Sequence, residues 1–335
     1  MSNFSVIMSK EILSQKDELM NVKRIRNVND NTALRRWRLL AKALTCSPRL
    51  MSQTKDDISI RRFTTFGLVS PLVLVNVVTD PGSTWCEYST VINDKFYDVQ
   101  IRRINKNFTA NELIGFNNTG NVCVWPSEEC LAYYLLKNEW ICRNKMVLEL
   151  GGGMSCLAGI FAAKYCNPSG VALTDGNVTS VDNTRCIVAR NNMADFVKCG
   201  VVQWARAARA LRQTEYSDKS AQCWTTESGD ESRRTEGLYN VILSADCLFF
   251  DDTRIDLVET IYGWLDDDGI ALVMAPKRGT TFQKFTEAAI KRGFIVKIKE
   301  RYDSEVWSCH LDQLVNNPEY APDLHYPVLM ELTKK

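Results

Sequence analysis

The chain has 335 residues, with 41 Lys and Arg against 40 Asp and Glu, so it carries almost no net charge and gives no global pull toward nucleic acid or anionic membrane. At 45% hydrophobic and 24% charged residues it falls in the ordinary globular range, long enough for one large domain and an appended subdomain. Its twelve cysteines contain no Cys-x-x-Cys pair and only two histidines accompany them, which argues against a zinc module, and no other metal site is expected.

Residues 1–45 hold nine basic residues and four acids, with neither a secretory pattern nor a membrane-length apolar run. The reading is an intracellular chain with reduced thiols, cytoplasmic with the nucleus as a second location, and residues 1–32 as a basic disordered segment. Leu34, Trp37, Leu40, Ala41 and Leu44 then recur at helical spacing, opening a subdomain over 33–115. A basic face on that helix would suit an acidic protein partner.

The segments Ile58 to Val69, Leu72 to Val78, Thr84 to Val91 and Tyr97 to Ile104 are rich in Val, Ile, Phe and Tyr and are broken by turn residues, which predicts a small antiparallel sheet. A helix is expected to open after Pro126-Ser127, with Ser127 as its cap and Glu128 and Glu129 near its positive end. Beyond residue 145 short apolar runs alternate with helix-length segments, the pattern of a mostly parallel sheet covered on both faces. The runs are Met146 to Leu150, Val171 to Thr174, Val201 to Trp204, Tyr239 to Ser244, Ile270 to Met274, Phe294 to Lys299 and Tyr326 to Thr333. Helices are expected over Ser155 to Tyr165, Ser180 to Met193, Asp252 to Leu265 and Phe282 to Arg292, and the polar stretch 205–236 reads as a loop insertion.

The chemistry is expected at the ends of these runs. Glu149-Leu150-Gly151-Gly152-Gly153 sets an acid and a glycine turn between an apolar run and an apolar helix, and Asp175 ends the next run, where an acid can accept both hydroxyl hydrogens of a ribose. A dinucleotide site would need a third glycine where Cys156 stands, and Glu149 sits badly beside a pyrophosphate. The acid-x-Gly-x-Gly pattern instead suits S-adenosylmethionine, which carries an ammonium and a sulfonium and no phosphate. At a third strand end, Asp246 and Phe249 bring an acid and an aromatic to the same edge, where methyl donor and acceptor would meet; a helix cap and a core ring are the competing readings.

These residues, with Phe116 to Tyr134, Leu173 to Asn177, Ala245 to Phe249 and Leu324 to Pro327, resemble the seven-strand protein lysine methyltransferases, and most narrowly the calmodulin-lysine N-methyltransferase family. The resemblance covers about Arg36 to Lys334 except the insertion. It implies a Rossmann-like α/β, class I methyltransferase fold over 116–335, S-adenosylmethionine as donor and trimethylation of a lysine of calmodulin, with no role for nucleic acid or membrane. A lysine of another protein, such as an elongation factor, is the alternative acceptor. It also implies that Trp125 lines the donor pocket, Gly151 to Gly153 pass under the methionine moiety, Asp175 holds the ribose, Trp204 flanks the adenine and Ala245 lies beside the donor. Phe249, with Tyr133 or Tyr134 as possible neighbours, would wall the lysine channel. A silent binding module would have no physical need for Glu149, Asp175 and Asp246 together at one edge.

Overall fold

The structure, a computed structural model, describes residues 63–75, 82–104, 123–214, 239–249 and 251–335. The chain divides into two units, Met1–Asp57 and Ile58–Lys335, and all described residues lie in the second. The expected helix at 33–44, the block 116–122 and most of the insertion fall outside them.

Strands β1 (Ser70–Val73), β2 (Ser83–Ile92) and β3 (Lys95–Ile104) form an antiparallel sheet in that order. Asn93 and Asp94, both with positive φ, make the two-residue β2–β3 turn, a conformation Asn and Asp tolerate better than other residues. Of the first expected strand, Ile58 to Val69, the described part, 63–69, is non-strand and binds to a helix, and the rest lies outside the described residues. That helix, α1 (Pro126–Lys137), is buried along nearly its whole length, so its two acids are buried as well. Glu129 takes in the backbone N–H groups of Phe66 (2.9 Å), Leu68 (2.7 Å) and Val69 (3.1 Å) together with the Thr65 hydroxyl (2.9 Å), donors a ladder would otherwise have satisfied. Ser127 does not cap α1. Pro126 starts the helix after an extended Trp125, and the Ser127 hydroxyl one residue further on is buried without a hydrogen-bond partner.

The larger sheet is built from β4 (Met146–Leu150), β5 (Gly170–Asp175), β6 (Val197–Val201), β7 (Tyr239–Ala245), β8 (Leu265–Ala275), β9 (Phe294–Lys299) and β10 (Val328–Lys334). Its order is β6-β5-β4-β7-β8-β10-β9, with β10 antiparallel to both neighbours and every other pairing parallel. Helices α2 (Leu157–Tyr165), α3 (Val178–Arg190), α4 (Trp204–Thr214), α5 (Arg254–Trp264), α6 (Thr281–Arg292), α7 (Ser304–Asn316) and the short α8 (Pro322–His325), with a 3-10 turn at Glu139–Ile141, complete the described elements. Among the described residues no helix is long and apolar enough to cross a membrane.

The strand expected at Val201 to Trp204 lies four residues earlier, at Val197–Val201, sharing only Val201 with the expected run, because Trp204 already begins α4. The start of the expected loop, up to Thr214, is helical: Trp204, Ala207, Ala208 and Leu211 recur at helical spacing, the first three buried and Leu211 packed against the core. The small sheet joins the larger one through polar side chains. Asn183 on α3 donates to the Arg102 carbonyl at 2.8 Å, Asn191 to that of Gln100 at 2.7 Å, and the Tyr165 hydroxyl to that of Asp98 at 2.9 Å.

Candidate active site

Leaving β4, the chain runs outward through β5 and β6 and returns to β7 on the other side of β4, so the sheet has its switch point between β4 and β7. In open α/β sheets the crevice beyond the carboxyl ends of the strands at such a point is where ligands bind. Here Gly151 to Gly153 leave β4, Asp175 ends β5, and Ala245 and Asp246 leave β7. One cavity is walled by Trp125, Glu149, Gly151, Gly152, Gly153, Asp175, Trp204, Ala245, Asp246 and Phe249, the ten residues expected from the sequence, together with Glu128, Gly176 and Cys247. Tyr133 and Tyr134 are not in its wall. The Tyr133 hydroxyl bonds to Glu305, and the Tyr134 ring packs edge-on against Tyr302.

The glycine turn is closely fitted. Gly151 (φ +68°) and Gly153 (φ +60°) are left-handed, and a Cβ on Gly151 would stand 2.7 Å from the Cys247 sulfur and 2.9 Å from the Trp204 ring. The Gly153 N–H donates to Asp175 Oδ2 at 2.9 Å and the Asn177 N–H to Oδ1 at 2.8 Å, and the Ser180 hydroxyl and the Gly176 N–H donate to the same carboxylate, so both of its oxygens are held in place. Asn177 in turn caps α3, its side chain accepting from Thr179 and Ser180.

Glu149 and Glu128 support the turn from below. Glu149 Oε2 accepts from the Gly159 N–H at 3.0 Å, while Oε1 is buried without a hydrogen-bond partner. Glu128 Oε1 takes the Leu157 N–H and the Ser155 hydroxyl, each at 2.6 Å, serving as the cap that Cys156, left-handed at φ +43°, does not supply to α2. The sequence reading missed Glu128, whose position in the first turn of a helix that is apolar on every side was the available signal. It also missed Arg278, beyond β8, which forks onto Asp246.

Burial, chiefly, pushes Glu128 up to about 7 and Asp175 up to about 6, and burial together with the charge of Glu128 raises Glu149 well above the usual carboxylate range. Between the ordinary values and these raised ones the folded chain holds protons that the unfolded chain has released, so stability falls as pH rises through that window. The ligand-free protein should therefore melt at a higher temperature at pH 5.5 than at pH 7.5, with the difference reduced in Glu128→Gln. Scanning calorimetry at the two pH values checks this, and an equal shift in both proteins would clear Glu128 of it.

The strand order and the acids at its switch point define the class I fold of the S-adenosylmethionine-dependent methyltransferases, and S-adenosylmethionine is the methyl donor. The walls suit it: Glu149 Oε1 is an orphaned acceptor beneath the turn, and Gly151 puts no side chain into the wall that Cys247 and Trp204 close around it. Residues 106–219 match a family model described as lysine methyltransferase. The chain is similar to the calmodulin-lysine N-methyltransferase of Arabidopsis thaliana, 28% identical over 321 residues that span 90% of this chain and 96% of that one. It is also similar to protein-lysine N-methyltransferase EFM3 of Chaetomium thermophilum, 26% identical over 56% of this chain and 52% of that one. Among solved structures, a TehB-like SAM-dependent methyltransferase from Corynebacterium glutamicum is 18% identical over 61% of this chain and 88% of that one, with a TM-score of 0.39. Strand order and site agree on a methyltransferase, and residues 106–219 are the part similar to lysine methyltransferases.

Proposed function

We propose that the chain transfers methyl groups from S-adenosylmethionine to a lysine of calmodulin, with trimethyl-lysine as the product. The observation that carries the chemistry is the meeting of three strand-end acids, the glycine turn and Trp125, Trp204 and Phe249 around one cavity. The acceptor rests on similarity over nearly the whole chain to the Arabidopsis calmodulin-lysine N-methyltransferase.

Bound at this site, the sulfonium supplies a methyl group to an amine by in-line displacement, a reaction that needs alignment and a dry channel more than a covalent partner. In this reading the left-handed Gly151 and Gly153 let the backbone approach the methionine end and Glu149 answers its ammonium. Asp175, oriented by Gly153 and Asn177, receives the ribose hydroxyls, Trp204 offers a face to the adenine, and Trp125 and Ala245 line the donor toward the acceptor side. Asp246 and Phe249 border the lysine. The Phe249 ring excludes water, which favours the neutral amine that attacks, and its face tolerates a methylated ammonium afterwards.

Phe249→Ala should lower turnover about tenfold while S-adenosylhomocysteine binds as before; an unchanged rate would take Phe249 out of the channel. The function itself is tested with radiolabelled S-adenosylmethionine, unmodified calmodulin, calmodulin with its candidate lysine replaced by arginine, and the Asp175→Ala enzyme. Label is expected on unmodified calmodulin with the wild-type enzyme alone. Donor binding without label on calmodulin would move the acceptor to another protein, an elongation factor first, as the similarity to EFM3 suggests.

A further inference from the structure

We propose that Arg278 is the positioning residue of the acceptor side of the site, acting through Asp246 and tying it to the C-terminal turn at Pro322–His325. The proposal rests on the methyltransferase reading above.

Arg278 stands three residues beyond β8, with its side chain 8% exposed and that of Asp246 4% exposed. Its guanidinium forks onto both carboxylate oxygens, with Nη1 on Oδ1 and Nη2 on Oδ2, the latter at 2.9 Å. The same group lies 6.0 Å from the centre of the Trp125 ring and 5.9 Å from that of Phe249. One side chain thus binds the acid and lies beside the Phe249 ring that would border the lysine and the Trp125 ring that would line the donor.

The other end of Arg278 is held just as closely. Its N–H donates to the Asp323 carbonyl at 2.7 Å, the Gly279 N–H to the Asp323 carboxylate at 2.8 Å, and the arginine Nε to the Leu324 carbonyl at 3.4 Å. This assigns a purpose to Leu324, the first residue of the Leu324 to Pro327 segment that the sequence singles out, and to Asp323 before it. The turn is itself fixed, since the Ala321 N–H donates to His325 Nδ1 at 2.9 Å.

Both members of the pair have a left-handed backbone, Asp246 at φ +57° and Arg278 at φ +41°. Non-glycine residues keep such angles where surrounding contacts over-determine them, and here a planar fork and a second strand end supply the contacts. With the guanidinium across it, the carboxylate is neutralised and does not serve as a free anion that would hold the lysine as an unreactive ammonium. Its part becomes geometric, fixing the Asp246 to Phe249 turn against Trp125. A lysine at 278 would keep the charge but lose the fork.

The test compares R278K, R278A, D246N and the D246N/R278A double variant with the wild type in S-adenosylhomocysteine affinity, melting temperature, and kcat and KM on calmodulin. R278A is expected to lose 30- to 100-fold in kcat with donor affinity within threefold. R278K should recover little of that loss, and the double variant should be no slower than the slower single one, because two residues acting as one unit do not add. Full activity in R278K, multiplying losses in the double variant, or donor affinity falling in step with kcat would each overturn the assignment.

A second readout keeps the proposal apart from the choice of acceptor. 4-Fluorophenylalanine placed at 249, with S-adenosylhomocysteine bound, should give a single 19F resonance in the wild type and a split or broadened one in R278K. An unchanged single line in R278K would overturn the positioning role even if calmodulin is not methylated. No label on calmodulin together with the split resonance would instead overturn only the acceptor.

Discussion

Asp175→Ala should weaken binding of S-adenosylhomocysteine by roughly 30- to 150-fold, about 2–3 kcal/mol. The carboxylate ends β5, and its two oxygens already accept the Gly153 and Asn177 N–H groups, so it is oriented before any ligand arrives. Ribose hydroxyls donating to this carboxylate, which they would share with the Ser180 hydroxyl and the Gly176 N–H, would make charge-assisted bonds, each worth about 1.5–3 kcal/mol where the acceptor is ionised. The estimate stays at the lower end of two such bonds because burial holds Asp175 near 6, which leaves part of the population protonated at slightly acid pH. Asp175→Asn separates charge from shape. It keeps one oxygen acceptor for the backbone and should lie between alanine and wild type. Calorimetric titration measures all three, with far-ultraviolet circular dichroism as the check that they fold, and equal affinities would remove Asp175 from the ribose.

The strand ends were legible in the sequence because a fully buried parallel strand reads as a plain apolar run and the residue that ends it is conspicuous. Glu149 stands next to last in such a run and Asp175 and Asp246 stand at the ends of two others, and the structure brings all three to one edge. What was hidden depends on partners far along the chain. Arg278 meets Asp246 across 32 residues, and Glu129 meets the 65–69 turn across some sixty, neither of which leaves a periodic trace. Helix α4 was hidden by polar composition, its spacing outweighed by the Ser- and Thr-rich residues that follow. Helix α7 carried a visible signal that the reading passed over, since the Asp303 side chain accepts from the Glu305 and Val306 N–H groups as an ordinary cap.

Gly151→Ala should lower stability by about 2–4 kcal/mol and donor affinity by more than tenfold, through two separable effects. The first is backbone strain: at φ +68° an L side chain costs about 1–2 kcal/mol wherever the residue stands. The second is the wall. The new methyl would meet the Cys247 sulfur at 2.7 Å and the Trp204 ring at 2.9 Å. Neither neighbour retreats easily, since the Cys247 thiol bonds to the Ala245 carbonyl at 3.2 Å and Trp204 is buried at the start of α4. Gly279 supplies the control inside the same chain. It has nearly the same backbone angle, φ +70°, and nothing within 4 Å of the added carbon, so Gly279→Ala carries the strain without the collision. Urea unfolding of the two variants, each with and without S-adenosylhomocysteine, should therefore give a larger loss at 151 and a ligand-dependent stabilisation that survives only at 279. If the two variants lose stability and ligand response equally, the close fit of Trp204 and Cys247 around the glycine turn has no part in shaping the donor site.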